Sequence, residues 1–229
     1  MIPARSGSKG IKNKNLALLG DKPLIEYTFE LASSLQSKFI KKIILSTDSE
    51  EIISLSKKFH KIHTPFIRPT HLATDSSNVS DVVIHALDYY SNLDESFDYV
   101  LLLQPTTPFR KPDEIDDAIE TSIIKNFDSS FGVCKIMHHP REYIKIKENS
   151  FLNLLPNTST LEQRQGYEEL FFISGAFYFC STAFLIKYCS FINEGISHPI
   201  ILSQETCIDI DEPFDLKIAR GFLSQEDQC

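Results

Sequence analysis

Ile2-Pro3-Ala4-Arg5-Ser6-Gly7-Ser8-Lys9-Gly10, followed by Lys12, Lys14 and Asn15, reads as a short apolar strand end running into a cationic loop rich in glycine and serine. No acidic residue precedes Asp21. The chain of 229 residues has a formal net charge of -8, yet four of its 23 Lys and Arg fall within the stretch 5–14. An anionic ligand is the economical reason for that concentration, and phosphate is the first candidate. Gly7 and Gly10 let the backbone turn tightly and aim several N–H groups at one spot, with Arg5, Lys9, Lys12 and Lys14 around it. The loop is not a Walker-type P-loop, because no Gly-Lys-Ser/Thr follows its glycines, and it lacks the three-glycine spacing of the dinucleotide fingerprint.

Outward from this loop, the first two thirds of the chain alternate strand and helix patterns, the signature of a mostly parallel sheet with helices on its faces. Leu24, Tyr27, Leu31, Ala32 and Leu35 share one helical face, and Ile43-Ile44-Leu45 then reads as a buried strand ending at Ser46-Thr47-Asp48. Asp48 and Glu51 are expected to form a capping box for the next helix. Val79, Val82, Val83, Ala86, Leu87 and Tyr90 recur at helical spacing, and the strand 99–103 ends in Gln104-Pro105-Thr106-Thr107-Pro108. Pro112 then starts a helix whose stripe is Ile115, Ala118, Ile119, Ser122 and Ile123. Arg5, Asp48 and Gln104 thus mark three strand ends with polar residues.

From about residue 129 the pattern changes to extended segments at 130–136, 143–147 and 172–180, which predict antiparallel or mixed strands. The polar stretch 149–169, with Pro156, Asn157 and Gly166, reads as a long loop or arm. A helix over 213–223 closes the chain.

Hydrophobic content of 42% and charged content of 24% are ordinary for one globular domain over 1–229. The acidic total argues against a nucleic-acid coat or a membrane-surface protein, which spread basic residues along a face. No window approaches the roughly 18 apolar residues of a membrane span, and no signal-peptide core is present at the start. Cys134, Cys180, Cys189, Cys207 and Cys229 are odd in number and lack a C-x-x-C pair, so reduced thiols and a cytoplasmic location are expected, with no crosslink.

A second cluster lies in Cys207-Ile208-Asp209-Ile210-Asp211-Glu212-Pro213. Read as one strand, its alternation puts Asp209 and Asp211 on the same side. Paired carboxylates suit a hard cation, and magnesium commonly combines one or two of them with phosphates and water. The alternative is capping of the next helix by Asp211 or Glu212 before Pro213.

The two clusters belong to a series of blocks that resembles the acylneuraminate cytidylyltransferases, which activate sialic and related nonulosonic acids as CMP-sugars. The blocks are Ile2 to Gly10 with Lys14-Asn15, Leu45-Ser46-Thr47-Asp48, Arg68-Pro69 with Leu72-Ala73-Thr74-Asp75, Leu103 to Pro108, His138-His139-Pro140, Gln163-Arg164-Gln165, Gly175-Ala176-Phe177-Tyr178 and Ile208 to Asp211. The resemblance implies a Rossmann-like α/β nucleotidyltransferase core and a homodimer in which a small projecting region, about 135–173, completes the partner's sugar site. It implies CTP and a nonulosonic acid as substrates, Mg2+ as cofactor, and no nucleic-acid or membrane partner. Arg5, Lys9 and Lys14 then hold the triphosphate with Ser8, while Asp209 and Asp211 bind the metal. Catalytic roles fall to Arg5, Lys14 and Asp211, the last as acceptor of the attacking hydroxyl's proton. Arg68, Ser77 and Asn78, with Asn15 nearby, occupy positions that recognise cytosine and ribose, and Gln104, Arg164 and Tyr178 occupy sugar-contacting positions. His138 and His139, adjacent in an extended segment, point to opposite sides and are read as structural.

The chain departs from the family pattern at the sugar end. Glu142 stands where a lysine is usual, and Phe172-Ile173-Ser174-Gly175-Ala176 replaces a block that usually carries an arginine and an asparagine. These changes favour a more apolar sugar, a 9-deoxy, diacylamino acid of the legionaminic type, in a bacterial surface polysaccharide such as lipopolysaccharide. Family members also carry apolar residues before Ile-Pro-Ala-Arg, so a first central strand of only about three residues is expected here, at a cost in stability. The competing readings are CTP-dependent activation of another 3-deoxy-ulosonic acid, activation of a sugar-1-phosphate with another nucleotide, and a non-catalytic nucleotide-binding relative.

Overall fold

The computed structural model describes residues 1–148, 150–155 and 168–226. In chain order, β1 (Ile2–Pro3) leads through the glycine loop to a small ribbon, β2 (Leu18–Leu19) and β3 (Lys22–Pro23), and then to α1 (Leu24–Ser34) and β4 (Ile43–Ser46). There follow α2 (Glu50–Ser56), β5 (Ile62–His63), α3 (Val79–Ser91), β6 (Tyr99–Leu102) and α4 (Pro112–Ile124). The later part holds β7 (Ser129–Lys135), the hairpin β8 (Ile144–Lys147) and β9 (Ser150–Asn153), β10 (Phe171–Ser181), α5 (Thr182–Tyr188), β11 (His198–Ile201) and α6 (Pro213–Glu226).

β5, β4 and β1 form one parallel group, and β11, β7, β10 and β6 form another in that order. Two backbone bonds of parallel type join the groups: Met1 N donates to Leu101 O at 2.8 Å and Leu103 N to Met1 O at 3.0 Å. The resulting order is β5-β4-β1-β6-β10-β7-β11, with only β10 running against its neighbours. The mostly parallel α/β sheet expected from the sequence is therefore present, and the change to mixed pairing comes where the sequence pattern changed.

Alternation along β6 fixes the two faces, because successive strand side chains point to opposite sides. Val100 and Leu102 pack with Val83 of α3 and Phe184 and Leu185 of α5. Leu101 and Leu103 face the larger cluster that holds Ile25 and Phe29 of α1 and Ile115 and Ile119 of α4. A third cluster, Leu19, Leu24, Ile210, Leu216 and Ala219, seats α6 against the ribbon and so holds the chain's two chemistry-bearing ends together. Asn78 caps α3 by accepting from Ser80 N at 3.1 Å, and Pro112 occupies the first turn of α4 as expected.

Several expectations are corrected. The cap of α2 is Ser49, whose hydroxyl accepts from Ile52 N at 3.3 Å, because the Asp48 carboxylate is committed to Ser6. Residues 150–153 are not loop but strand, paired with β8. The stretch 207–213 is not a strand: Cys207 ends a turn, residues 208–211 join no ladder among the described residues, and Pro213 opens α6. Cys134 and Cys207 form a disulfide: the parallel pairing of β11 with β7 returns the chain beside β7, which leaves their Cα atoms 6.3 Å apart despite a separation of 73 residues.

β1 is two residues long. Next to Met1, between the first residues of β4 and β6, lies an apolar cavity of about 480 Å³ lined by Ala32, Leu35, Ile43, Ala86, Tyr90 and Val100 among others. No helix among the described residues is long and apolar enough to cross a membrane.

Candidate active site

The glycine loop is held from both sides. Asn15 is buried and its amide donates to Arg5 O at 2.9 Å, while Ser6 donates its backbone N–H and hydroxyl to Asp48 at 2.8 and 2.6 Å. A strand-end carboxylate and a buried asparagine thus fix the loop that the sequence marked as a phosphate cradle. Ser8 lies half-exposed in it.

The second cluster folds directly onto this loop. A Cβ on Gly10 would lie 2.3 Å from Asp211 O, so only glycine permits the approach. Lys14 Nζ lies 2.6 Å from Asp211 Oδ1, with the lysine side chain 14% exposed. The other two cations face a different carboxylate: Arg5 Nη2 is 2.5 Å and Lys9 Nζ 3.4 Å from Asp75. Hydrogen bonding to Arg5 holds the Asp75 carboxyl below its ordinary range against desolvation, with Lys9 lowering it further. Of the cations named for a triphosphate, Arg5 and Lys9 meet at Asp75 while Lys14 pairs with Asp211, so each is neutralised by a carboxylate.

Asp209 sits deeper than Asp211. Burial pushes its carboxyl up, the Thr106 side chain opposes this by hydrogen bonding, and the Asp211 charge raises it further. Ile210 N donates to Thr106 O at 2.8 Å, which ties the acidic segment to the turn after β6. Asp209 Oδ1 is buried without a hydrogen-bond partner. A buried, unpartnered carboxylate oxygen beside a second carboxylate fits a hard cation. No group of three His, Cys, Asp or Glu able to hold a metal exists among the described residues.

Gly175, at φ +71°, opens a space that a Cβ would share with Gln104 Oε1 at 3.6 Å and Asp209 Oδ2 at 3.7 Å. Tyr178 borders the same region: burial raises its hydroxyl pKa and the Asp209 charge adds to the rise. Gln104, Tyr178 and the two aspartates are thus brought together at the C-terminal end of β6, the place where open α/β sheets hold ligands.

Arg68 is buried, its Nε donating to Ser46 Oγ at 3.0 Å and its backbone N–H to Thr47 O at 2.8 Å. Burial lowers its pKa to about 10, with Asp48 opposing and Arg5 adding to the fall. It braces the end of β4 under the loop. The Ser77 hydroxyl is engaged within its own turn, donating to His71 O at 2.9 Å and accepting from Thr74 N at 3.1 Å. Arg164 lies outside the described residues. His139 accepts from Arg141 N at 3.2 Å and His138 Nδ1 is 3.7 Å from Glu142, so this pair is used locally.

Two site residues lay outside the sequence reading. Asp75 stood inside a quoted block without a role of its own. Arg110, buried beneath Gln104, carried a usable signal: a cation just before a helix start opposes the helix dipole and needs another reason to be there.

Residues 1–196 match the family described as cytidylyltransferase. The chain is 35% identical over 223 residues to a CMP-N,N'-diacetyllegionaminic acid synthase of Legionella pneumophila, spanning 97% of this chain and 94% of that protein. It is 32% identical over 221 residues to an N-acylneuraminate cytidylyltransferase of Escherichia coli O18:K1:H7, spanning 96% of this chain and 50% of that longer one. Among solved structures, a CMP:2-keto-3-deoxy-manno-octonic acid synthetase complexed with CTP matches with a TM-score of 0.68 at 16% identity, covering 98% of this chain and 97% of that one. At that identity the likeness is one of fold.

Proposed function

The chain belongs to the cytidylyltransferase family, and from that premise we propose that it transfers CMP from CTP to a nonulosonic acid and releases pyrophosphate. The observation that carries this reading is the contact between the glycine loop and the acidic segment: Gly10 packs on the Asp211 backbone and Lys14 on its carboxylate. A site that joins a phosphate cradle to a pair of carboxylates suits phosphoryl transfer to a hydroxyl.

The anomeric oxygen of the sugar attacks the α-phosphorus of CTP, the bond to the bridging oxygen breaks, and pyrophosphate leaves. Little covalent work falls to the protein, so its residues act by position and charge. Arg5, Lys9 and Lys14 exchange their carboxylate partners for the triphosphate, with Ser8 and loop N–H groups beside them. Asn15 and Arg68 brace the loop and the adjoining strand end on which the nucleoside rests, with Ser77 and Asn78 shaping the turn beside it. Asp211, the more exposed aspartate, receives the proton of the attacking hydroxyl.

Asp209 and Asp211 are the residues to hold Mg2+, and the unpartnered Asp209 Oδ1 supports that assignment. When bound, the ion neutralises phosphate charge and lowers the pKa of a coordinated hydroxyl.

Gln104, Tyr178 and Arg164 contact the sugar in this reading. Phe172 and Ile173 are exposed apolar side chains at the start of β10, and they favour a sugar of the legionaminic type, as does the Legionella relative. The subregion 135–173 acts as the dimerisation and sugar-site projection of a homodimer. Its support is that Met137, Ile144, Ile146, Leu152 and Leu154 are all exposed apolar side chains. The product feeds synthesis of a surface glycan, and the enzyme works in the cytoplasm.

Pyrophosphate release with CTP and Mg2+, comparing a legionaminic acid, N-acetylneuraminate and 3-deoxy-manno-octulosonate, tests the reading. Preference for the legionaminic acid is expected. Equal or better turnover of N-acetylneuraminate overturns the sugar assignment, and release with none of the three overturns the enzymatic reading.

A further inference from the structure

Arg110 is 6% exposed and its nearest carboxylate influence, Asp209, lies beyond ion-pair distance among the described residues. A buried guanidinium without a direct ionic partner is costly, and one that is retained needs a use. Its Nη1 donates to Gln104 O at 2.9 Å and to Ala176 O at 3.0 Å, and its Nη2 donates to Thr28 Oγ1 of α1. Those two carbonyls are not an arbitrary pair. β10 and β6 are paired antiparallel up to Tyr178 opposite Leu102, so the next rung of the same type would set Ala176 opposite Gln104. That rung is absent from the ladder. The pairing of β10 with β7 is also interrupted between Ile173 and Tyr178, and Gly175 takes its positive φ inside the interruption.

From this the geometry points to Arg110 as a positioning residue for the sugar pocket: its guanidinium replaces the missing rung between β6 and β10 and fixes how far the two strand ends stand apart. The wedge it spans is where Gln104 Oε1, Asp209 Oδ2 and the open face of Gly175 converge. A backbone rung would close that wedge, and a loss of the guanidinium would leave Ala176 O without its donor and Gln104 O with only the longer 3.4 Å bond from the Thr107 hydroxyl. Planar donors on a fixed fork serve both carbonyls and the α1 hydroxyl at once, which a lysine ammonium cannot do with the same spacing. The inference rests on the proposed function for the identity of the ligand. It does not rest on it for the wedge itself.

Arg110→Met, Arg110→Lys and Thr28→Val test it through two readouts. In steady-state pyrophosphate release with the preferred sugar, Arg110→Met is expected to lower kcat/KM for the sugar about tenfold to a hundredfold, with KM for CTP little changed. Arg110→Lys recovers part of that loss, and Thr28→Val gives a smaller change of the same kind. Independently of activity, amide hydrogen exchange is expected to quicken at 104–107 and 174–177 in each variant and to stay unchanged in the β8–β9 hairpin. If the wild-type protein turns over no nonulosonic acid, the functional reading fails and the exchange pattern alone decides the wedge. Equal losses for sugar and CTP, or exchange that quickens throughout the fold, overturn the inference. If Arg110→Met does not fold, Thr28→Val decides: wild-type sugar kinetics together with wild-type exchange overturn it.

Discussion

Gly10 and Asp211 are in backbone contact across almost the whole length of the chain, with room for no Cβ between them: one added to Gly10 would sit 2.3 Å from Asp211 O. Because the obstacle is backbone, it cannot swing away as a side chain would. Gly10→Ala is therefore expected to push the loop off the acidic segment and lower turnover about a hundredfold, the scale of a misplacement near 1 Å. Pyrophosphate release alongside thermal unfolding checks this, the expected result being a large loss of rate with a small loss of Tm.

Asp209→Asn and Asp211→Asn remove one negative charge each while keeping the shape. Each is expected to lower turnover by about a hundredfold or more, with CTP still bound. Asp211→Asn additionally turns the ion pair that Lys14 makes at 2.6 Å into a hydrogen bond to a neutral acceptor. Titration with Mg2+ distinguishes them further, since loss of a carboxylate ligand raises the concentration needed for half-maximal rate. Wild-type rates in both variants would remove the metal assignment.

Asp75 competes with substrate phosphate for Arg5 and Lys9. Asp75→Asn is expected to tighten CTP binding about two- to fivefold, as befits exposed ion pairs, and the gain should fade as salt rises. Stability moves the other way. Because the folded Asp75 carboxyl titrates below its ordinary value, its pair with Arg5 contributes fully above the ordinary carboxylate pKa of about 4, and the contribution is lost as pH falls through the depressed one. The wild-type advantage in Tm over Asp75→Asn should therefore vanish in acid. Calorimetric CTP titrations and melts across that pH range check both signs.

The parts of this fold that were legible in the sequence are those where one local rule dominates. The stripes of α3 and α4 and the buried run of β4 follow from apolar spacing, and Pro112 marks a helix start without help from tertiary structure, whereas on α1 the fully buried Ile25 and Phe29 lie off the expected face and Leu35 lies past the helix end. Local rules misled where a side chain had a better distant partner. Asp48 suits a capping box, but Ser6 offers it two donors, so Ser49 caps α2 instead. The acidic segment alternates like a strand, yet among the described residues it joins no ladder and is held to the turn after β6 by the Ile210 N–Thr106 O bond. In the site, the loop cations and both aspartates could be named because their charge is unusual for their surroundings. A cation just before a helix start singles out Arg110, but its place between β6 and β10 depends on a ladder that stops one rung short of Gln104, which no local pattern encodes.

The Cys134–Cys207 bond ties β7 to the segment that carries Asp209. Closing so long a loop is expected to contribute about 2–4 kcal/mol to stability, chiefly by limiting the unfolded chain. Dithiothreitol should lower Tm in the wild-type protein and leave Cys134→Ala unaffected, and mass measurement before and after alkylation should find the two thiols blocked until reduction. Free thiols at both positions in the untreated protein would remove this crosslink.

Ala86 lines the cavity of about 480 Å³ beside Met1, from the buried face of α3. Enlarging this side chain adds apolar contact in a space left open among the described residues, and leucine is also a strong helix former, so neither packing nor propensity opposes Ala86→Leu. Overpacking, the usual penalty of small-to-large changes, applies to filled cores and not to a void of this size. The variant is expected to gain about 1 kcal/mol and raise Tm by about 2–4 °C, with turnover unchanged because the cavity lies at the opposite strand ends from Gln104 and Asp209. Thermal melts with activity measured on the same samples check it. A fall in Tm would overturn the expectation.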